Sequence, residues 1–404
     1  VSEINYLYIH VPFCISKCSY CDFYSLPLGS VSQDVFSEYV KALCAEINQK
    51  KEYLKYLKTI YIGGGTPSIL PTKEISNLIE SINKISLFDK DIEITIEFNP
   101  NSVDHEKLKD YLSLGINRLS IGVQSFCNDE LSILGRIHNE AEAEQAIELS
   151  RKAGFKNISL DLIYGIPNKD SDIDLNRIKN WQYSLKKALK FCPEHLSLYE
   201  LTYEEGTKIT NAIKNKGLFA PNEEVIKEMY YLGIDILKQH GYRQYEISNF
   251  SKEGFQCLHN LNYWDRGEYI GIGAGAHSFF DKKRSANFSD ILLYIEKIRN
   301  NEVPIVEEIV LNKEEEIKEL VFLGLRKTKG IEVSKLYDKN LMDLLDGILS
   351  ELISQGLLEI KDGYLRLTRK GLILSNEVIV RILLGIEKSH PEQLVKEYPD
   401  SFLF

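Results

Sequence analysis

Several things are missing from this chain of 404 residues. It has no run long and apolar enough for a membrane-spanning helix, and its opening Val1-Ser2-Glu3-Ile4-Asn5 has neither the basic nor the apolar stretch of a secretory leader. A basic excess is also missing: 49 Lys and Arg stand against 59 Asp and Glu, a net charge of −10. Nucleic acid is therefore not an expected partner, and an anionic ligand needs a local pocket. Cysteine is sparse and odd in number, seven in all, which argues against a disulfide framework and for a reducing, cytoplasmic compartment. Apart from a βα period the chain shows no internal repeat, and it has no low-complexity tract.

What is present reads as a folded chain, 44% hydrophobic and 27% charged, of a length that suits about two or three domains. Over residues 1–240, strand-like runs alternate with amphipathic helical patterns. The runs are Tyr6 to Val11, Thr59 to Ile62, Ile92 to Phe98, Arg118 to Ile121, Ile158 to Ile163 and His195 to Leu201. Phe36, Val40, Leu43 and Ile47 mark the first helical stripe. Six such units predict an α/β fold, a partial (β/α)6 barrel of TIM type. Residues 241–311 turn to strand-like pieces rich in Gly and aromatics, expected to cover one end or edge of the barrel. Residues 312–404 follow the order of a winged-helix module. Helical stretches at Lys313 to Lys327, Val333 to Tyr337 and Leu341 to Gln355 precede a hairpin, Leu357 to Ile360 and Tyr364 to Leu367, turning at Asp362-Gly363. From Lys313 to Phe404 there are 14 Lys and Arg against 16 Asp and Glu, too acidic a balance for a DNA-reading wing.

Three cysteines, Cys14, Cys18 and Cys21, fall at i, i+4 and i+7 directly after the first predicted strand. In a β/α barrel that loop lies at the C-terminal face, where such folds carry their chemistry. Three thiolates at this spacing admit a tetrahedral zinc completed by His10 or Cys44, a set of incidental thiols, or a 4Fe-4S cluster with one iron open. Structural zinc sites come as paired C-x2-4-C elements, and Cys44 sits on the apolar stripe of its helix. A cubane cluster normally takes four thiolates, so a three-thiolate cluster calls for an exogenous ligand.

Other residues fall at the same face. Gly63-Gly64-Gly65-Thr66-Pro67 follows the second strand, bare backbone that suits either close ligand approach or a tight turn. Glu97 ends the third strand on the face it shares with Glu93 and Thr95, opposite Ile92, Ile94, Ile96 and Phe98. An inward carboxylate at a barrel rim is costly without a partner. Gln124 follows the fourth strand, Arg136 lies in Leu134-Gly135-Arg136-Ile137-His138, and Asp161 lies in the fifth strand.

The C-x3-C-x2-C spacing, with the aromatic Tyr20 before its last cysteine, resembles the signature of the radical S-adenosylmethionine superfamily. The resemblance implies a 4Fe-4S cluster on Cys14, Cys18 and Cys21, whose open iron chelates S-adenosylmethionine and whose electron cleaves the sulfonium to a 5′-deoxyadenosyl radical. Gly63 to Pro67 is similar to that superfamily's motif for the amino group. Within it, the chain resembles the relatives of oxygen-independent coproporphyrinogen III oxidase, from Tyr8 to about Phe280 and loosely beyond. This implies contacts to S-adenosylmethionine from Tyr8, Gly64, Gly65, Thr66 and Glu97. Tyr20, Gln124, Arg136 and Asp161 are implied to line the neighbouring space, which holds a second S-adenosylmethionine in the oxidase.

Two departures separate the chain from the oxidase itself. The oxidase continues its motif with a further C-x-C step, where this chain has Asp22 and Phe23, and it carries a longer segment ahead of the cluster, where 13 residues precede Cys14 here. His259-Asn260-Leu261-Asn262-Tyr263-Trp264 reads in isolation as an aromatic packing corner; in this context it resembles the H-N-x-x-Y-W motif of the HemW-type heme chaperones. That resemblance implies heme as a further ligand and client hemoproteins as partners, membrane hemoproteins reached peripherally among them. A coproporphyrinogen oxidase or another radical enzyme on a tetrapyrrole is the alternative, and no catalytic residue is assigned. Imidazole and thiolate are the usual axial ligands, which makes His259, His277 and Cys192 the heme candidates, although Cys192-Pro193 also reads as the opening of strand six. Gly271 to Ala276 spells G-x-G-x-x-G/A, but no helix is expected after it. These small residues are expected instead to let an adenosyl or porphyrin group approach the backbone.

Overall fold

Residues 4–30, 34–170, 174–336 and 339–387 are described by the structure, a computed structural model. Residues 1–3, 31–33, 171–173 and 337–338 and the tail from residue 388 lie outside the described residues, as do the side chains of residues 30 and 339–344. All six expected runs form strands: β1 (Tyr6–Val11), β2 (Tyr56–Gly64), β3 (Leu87–Phe98), β4 (Arg118–Gln124), β5 (Ile158–Tyr164) and β6 (His195–Glu200). They lie parallel and in chain order, with helices between them, as the partial β/α barrel requires. The short β7 (Arg243–Gln244) and β8 (Asn249–Ser251) extend the sheet antiparallel beyond β6, and β9 (Ile270–Ile272) adds parallel to β1 at the other edge.

The two-residue alternation of the strands separates two chemistries. One face carries Ile60, Ile62, Ile94, Ile96, Leu119, Ile121, Leu160 and Leu196, all buried. The other is polar: register pairs Tyr8 with Tyr61, Tyr61 with Thr95 and Thr95 with Arg118, and a level higher Glu97 with Ser120 and Ser120 with Ser159. The barrel interior is thus lined by ionisable and hydroxyl groups that must satisfy one another out of water.

The segment after the barrel holds a correction to the sequence reading. The His259 to Trp264 string is not strand-like; it lies in a two-turn helix, Leu258–Trp264. Glu93, pointing inward from β3, accepts the N–H groups of Leu258 at 3.0 Å and His259 at 3.2 Å, donors that a helix start otherwise leaves unpaired. Two glycines of the 271–276 string are packed against the protein itself. A Cβ on Gly271 would stand 2.0 Å from the His277 carbonyl oxygen, and one on Gly273, at φ +108°, 2.6 Å from the Tyr39 hydroxyl. After β9 comes a strand, β10 (His277–Phe280), which pairs with β11 (Lys283–Asn287); β12 (Ile305–Val310) completes that sheet.

The last part follows the winged-helix order. Helix Lys313–Gly324, a short 3-10 turn at Val333–Leu336 and helix Lys339–Ser354 precede the hairpin of β14 (Leu358–Lys361) and β15 (Tyr364–Leu367), with β13 (Ile331–Glu332) on the other side of β15. Two further helices, Arg369–Ile373 and Ser375–Glu387, were not separated by the sequence pattern. Among the described residues, no helix is long and apolar enough to cross a membrane.

Helix Asp34–Gln49 carries a buried carboxylate that ties barrel to extension. Glu46, 0% exposed, accepts from the Gly273 N–H at 2.9 Å, the Asn287 amide at 2.9 Å and the Tyr294 hydroxyl at 2.6 Å, and pairs with Lys50 at 2.8 Å. Glu46→Ala leaves the Gly273 N–H and the Tyr294 hydroxyl without their acceptor and the Lys50 charge unpaired, and urea unfolding should show a loss of about 3–5 kcal/mol. Glu46→Gln, which keeps an acceptor oxygen, should lose less.

Candidate functional site

After β1 the chain turns at Pro12, pairs briefly as Phe13–Cys14 with Leu26–Pro27, and carries the three partly buried thiols through an irregular loop. The loop is held from outside. Ser19 donates its N–H to the Leu134 carbonyl at 2.9 Å and accepts from Ile209 at 2.9 Å. The Arg136 guanidinium donates to Cys18 Sγ at 3.4 Å, and the Thr66 hydroxyl to Cys14 Sγ at 3.7 Å. Burial pushes the Cys14 and Cys21 thiols above their ordinary range, and the neighbouring Cys18 adds to both. Thiols so placed ionise when a metal supplies the missing positive charge.

Among the described residues, no three His, Cys, Asp or Glu side chains are already drawn together as for one metal ion. Both zinc completions raised by the spacing are spoken for. Cys44 Sγ donates to the Asn77 carbonyl at 3.7 Å. His10 contacts the Tyr24 carbonyl through Nε2 at 3.1 Å and the Tyr8 hydroxyl through Nδ1 at 2.9 Å. A carbonyl only accepts, so Nε2 carries the proton and Tyr8 donates to Nδ1.

The end of β2 lies hard against this loop, and its glycines are why it can. A Cβ on Gly64, at φ +114°, would stand 2.6 Å from the His10 ring; one on Gly65 would stand 2.6 Å from the Phe13 carbonyl oxygen and 3.0 Å from Cys14 Sγ. Glu97 meets the same glycines from β3, accepting the Gly64 N–H at 3.1 Å and the Tyr61 hydroxyl at 2.7 Å. Burial raises its carboxyl to about 7; the Tyr61 bond opposes the rise and the charge of Asp161 adds to it. Asp161 is raised by its own burial and accepts from Ser120 at 3.0 Å and Ser159 at 3.3 Å.

Asn99 is the residue that the sequence reading missed. Its amide donates to the Thr66 hydroxyl at 2.8 Å, and its oxygen accepts from Arg136, whose guanidinium also donates to the Gly122 carbonyl at 2.7 Å. Asn99 therefore joins Thr66, which touches Cys14, to Arg136, which touches Cys18. Its signal was present: an Asn directly after a strand and before Pro100, at the end of the barrel that carries the cysteines. Gln124 stands nearby in the left-handed region, φ 67°, with its side-chain oxygen buried and without a hydrogen-bond partner among the described residues. Burial raises the Tyr20 phenol, which stands beside Arg136 and Cys18.

The heme candidates are not brought together. Cys192 is exposed and precedes β6, whereas the cysteine loop follows β1; in a parallel barrel these are opposite ends. His259 lies inside the barrel, 1% exposed. His277 is half-buried at the start of β10.

Comparison with known proteins accords with this geometry. Residues 8–175 match the Radical SAM superfamily and residues 311–374 the HemN C-terminal domain. The heme chaperone HemW of Bacillus subtilis is 37% identical over 377 residues, spanning 92% of this chain and 97% of its own. The chain belongs to the HemW family. The Escherichia coli heme chaperone HemW is 40% identical over 274 residues, 67% of this chain and 69% of its own. A zebrafish relative, the mitochondrial radical S-adenosyl methionine domain-containing protein 1, is 31% identical over 395 residues, 94% and 87% of the two chains. The solved coproporphyrinogen III oxidase HemN of Escherichia coli shares the fold, with a TM-score of 0.79 over 96% of this chain and 91% of its own at 22% identity.

Radical S-adenosylmethionine proteins, the HemW family among them, imply a 4Fe-4S cluster and S-adenosylmethionine, and the residues present fit both. Three thiols share one loop against a glycine cradle, a carboxylate stands at the same rim, and the buried Gln124 oxygen awaits a donor. Asn99→Ala should lower thermal stability by about 1–3 kcal/mol, since it leaves the Thr66 hydroxyl and an Arg136 N–H without their partner. Gly64→Ala, strained in φ and pressed on the His10 ring, should cost more in the same measurement.

Proposed function

We propose that this chain is a heme chaperone: it binds heme and passes it to client hemoproteins, with a 4Fe-4S cluster on Cys14, Cys18 and Cys21 and S-adenosylmethionine beside it. The observation that carries this reading is similarity running the whole length of a protein of that name, 97% of it. Phe23, 62% exposed, stands where the oxidase pattern puts a further cysteine. The reducing cytoplasm suits seven free thiols, and membrane-bound clients would be met from the water side. Residues 1–240, 241–311 and 312–404 serve in this reading as barrel, extension and winged-helix-like unit.

When bound, the cluster supplies an electron to the sulfonium of S-adenosylmethionine. The chain's own residues do the holding. Glu97 takes the substrate ammonium, Gly64 and Gly65 let it approach the backbone, and Tyr8 and Thr66 face the same ligand. Tyr20, Gln124, Arg136 and Asp161 line the space alongside, with Arg136 countering the charge of the thiolate cluster. For heme we retain His277, which opens β10 shortly after β9, the strand beside β1.

The test is anaerobic reconstitution with parallel assays. Wild type should bind about one heme and leave coproporphyrinogen III unchanged; robust decarboxylation would overturn the chaperone reading. Replacing Cys14, Cys18 and Cys21 by Ala should abolish the broad absorption near roughly 400 nm that such clusters give. His277→Ala should weaken heme binding and shift the heme spectrum. The pH dependence has a definite sign. Above about 7 Glu97 is ionised and attracts the ammonium, and below it the carboxyl is neutral. Affinity for S-adenosylmethionine should fall as the pH drops, by up to about tenfold per unit, and this component should be absent from Glu97→Gln.

A further inference from the structure

His259 opens the H-N-x-x-Y-W string, yet its imidazole is already fully engaged. Nδ1 lies 2.6 Å from the Thr59 hydroxyl and Nε2 lies 2.9 Å from the Tyr263 hydroxyl. A neutral imidazole offers one N–H and one lone pair, so neither nitrogen is left for an iron. Burial, helped by the charge of Arg118, pushes its pKa down to about 3, which keeps the ring neutral. The helix that carries it is fixed in turn: Glu93 accepts from Cys257 Sγ at 3.5 Å as well as from the backbone of Leu258 and His259.

The clamped ring lies against side chains of β1 and β2. Its neighbour is Tyr61, stacked at 5.2 Å between centroids and 29° between planes, with Tyr8 at 6.4 Å. Thr59 and Tyr61 are two residues apart on β2 and so face the same way. The Tyr61 hydroxyl donates to one oxygen of Glu97 at 2.7 Å, while the other oxygen holds the Gly64 N–H at 3.1 Å. An unbroken path therefore runs from the Thr59 and Tyr263 clamp through the His259 ring and Tyr61 to the carboxylate at the cysteine loop.

We propose that His259 is a positioning residue for Glu97: clamped by Thr59 and Tyr263, it sets the plane of Tyr61 and through it the carboxylate that receives the ammonium of S-adenosylmethionine. The proposal rests on the reading of Glu97 as that receiver. Its consequence is that the motif serves S-adenosylmethionine binding and does not supply the heme ligand.

The experiment measures S-adenosylmethionine affinity on reconstituted protein by equilibrium dialysis, with cluster iron content and the heme absorption spectrum recorded in parallel. His259→Ala should weaken affinity on the order of tenfold, and Thr59→Val, Tyr263→Phe and Tyr61→Phe by about threefold each, at unchanged iron content. In a Glu97→Gln background His259→Ala should add nothing, and its heme-bound spectrum should match wild type. Unchanged affinity in His259→Ala, effects that multiply independently with Glu97→Gln, or loss of the axial-ligand bands of heme would each overturn the proposal. Should His259→Ala fail to fold, the near-isosteric Thr59→Val and Tyr263→Phe decide alone, and no loss of affinity in either overturns it. A wild type that binds no S-adenosylmethionine removes the reading of Glu97 beneath the proposal, a result seen before any variant is made.

Discussion

Taking the Glu97 carboxylate out of water at the rim of a barrel is the costly step on which the rest of this arrangement depends. A buried carboxylate is tolerated only where donors meet it, and here two do, the Tyr61 hydroxyl and the Gly64 N–H. Those two donors fix β2 against β3 at the end where the cysteine loop begins. The carboxyl remains raised to about 7, so its charged form is under-compensated. A cationic ligand is the natural complement of such a group.

The cysteine loop has the opposite problem. It has little secondary structure of its own, and three partly buried thiols repel one another as soon as they ionise. Its order comes from strand ends far away in sequence: Thr66 after β2, Asn99 after β3, Gly122 within β4, and Arg136 beyond it, joined by direct hydrogen bonds. The groups that hold the loop and the groups that bind beside it are therefore parts of one network, and a change in one strand end reaches the others.

The barrel architecture, the cysteine loop and the rim carboxylate were legible in the sequence because each rests on local regularity. Alternation in Ile92 to Phe98 gave both the strand and the inward face of Glu97, and the i, i+4, i+7 spacing gave the thiol loop. The roles of Asn99 and of the 271–276 glycines were not legible. Asn99 acts through partners 33 and 37 residues away, and no periodicity carries such a pairing. The glycines read as ligand cradles because a Gly-rich string reports only that something approaches closely; that Tyr39 and the His277 backbone are among the approaching groups is a matter of packing.

By itself the sequence determined the alternation of strand and helix, the cluster of three thiols and the acidic balance, since these are written in residue type and spacing. Only the tertiary structure decided which polar groups meet. It put Cys192 at the far end from Cys14, Cys18 and Cys21, because parallel strands send the loop before β6 and the loop after β1 to opposite faces. It also closed both nitrogens of His259 inside the barrel, because hydroxyls from β2 and from the helix itself converge there. A histidine beside aromatics reads in sequence either as a packing corner or as a ligand; whether its nitrogens are free is settled in part by a contact 200 residues away.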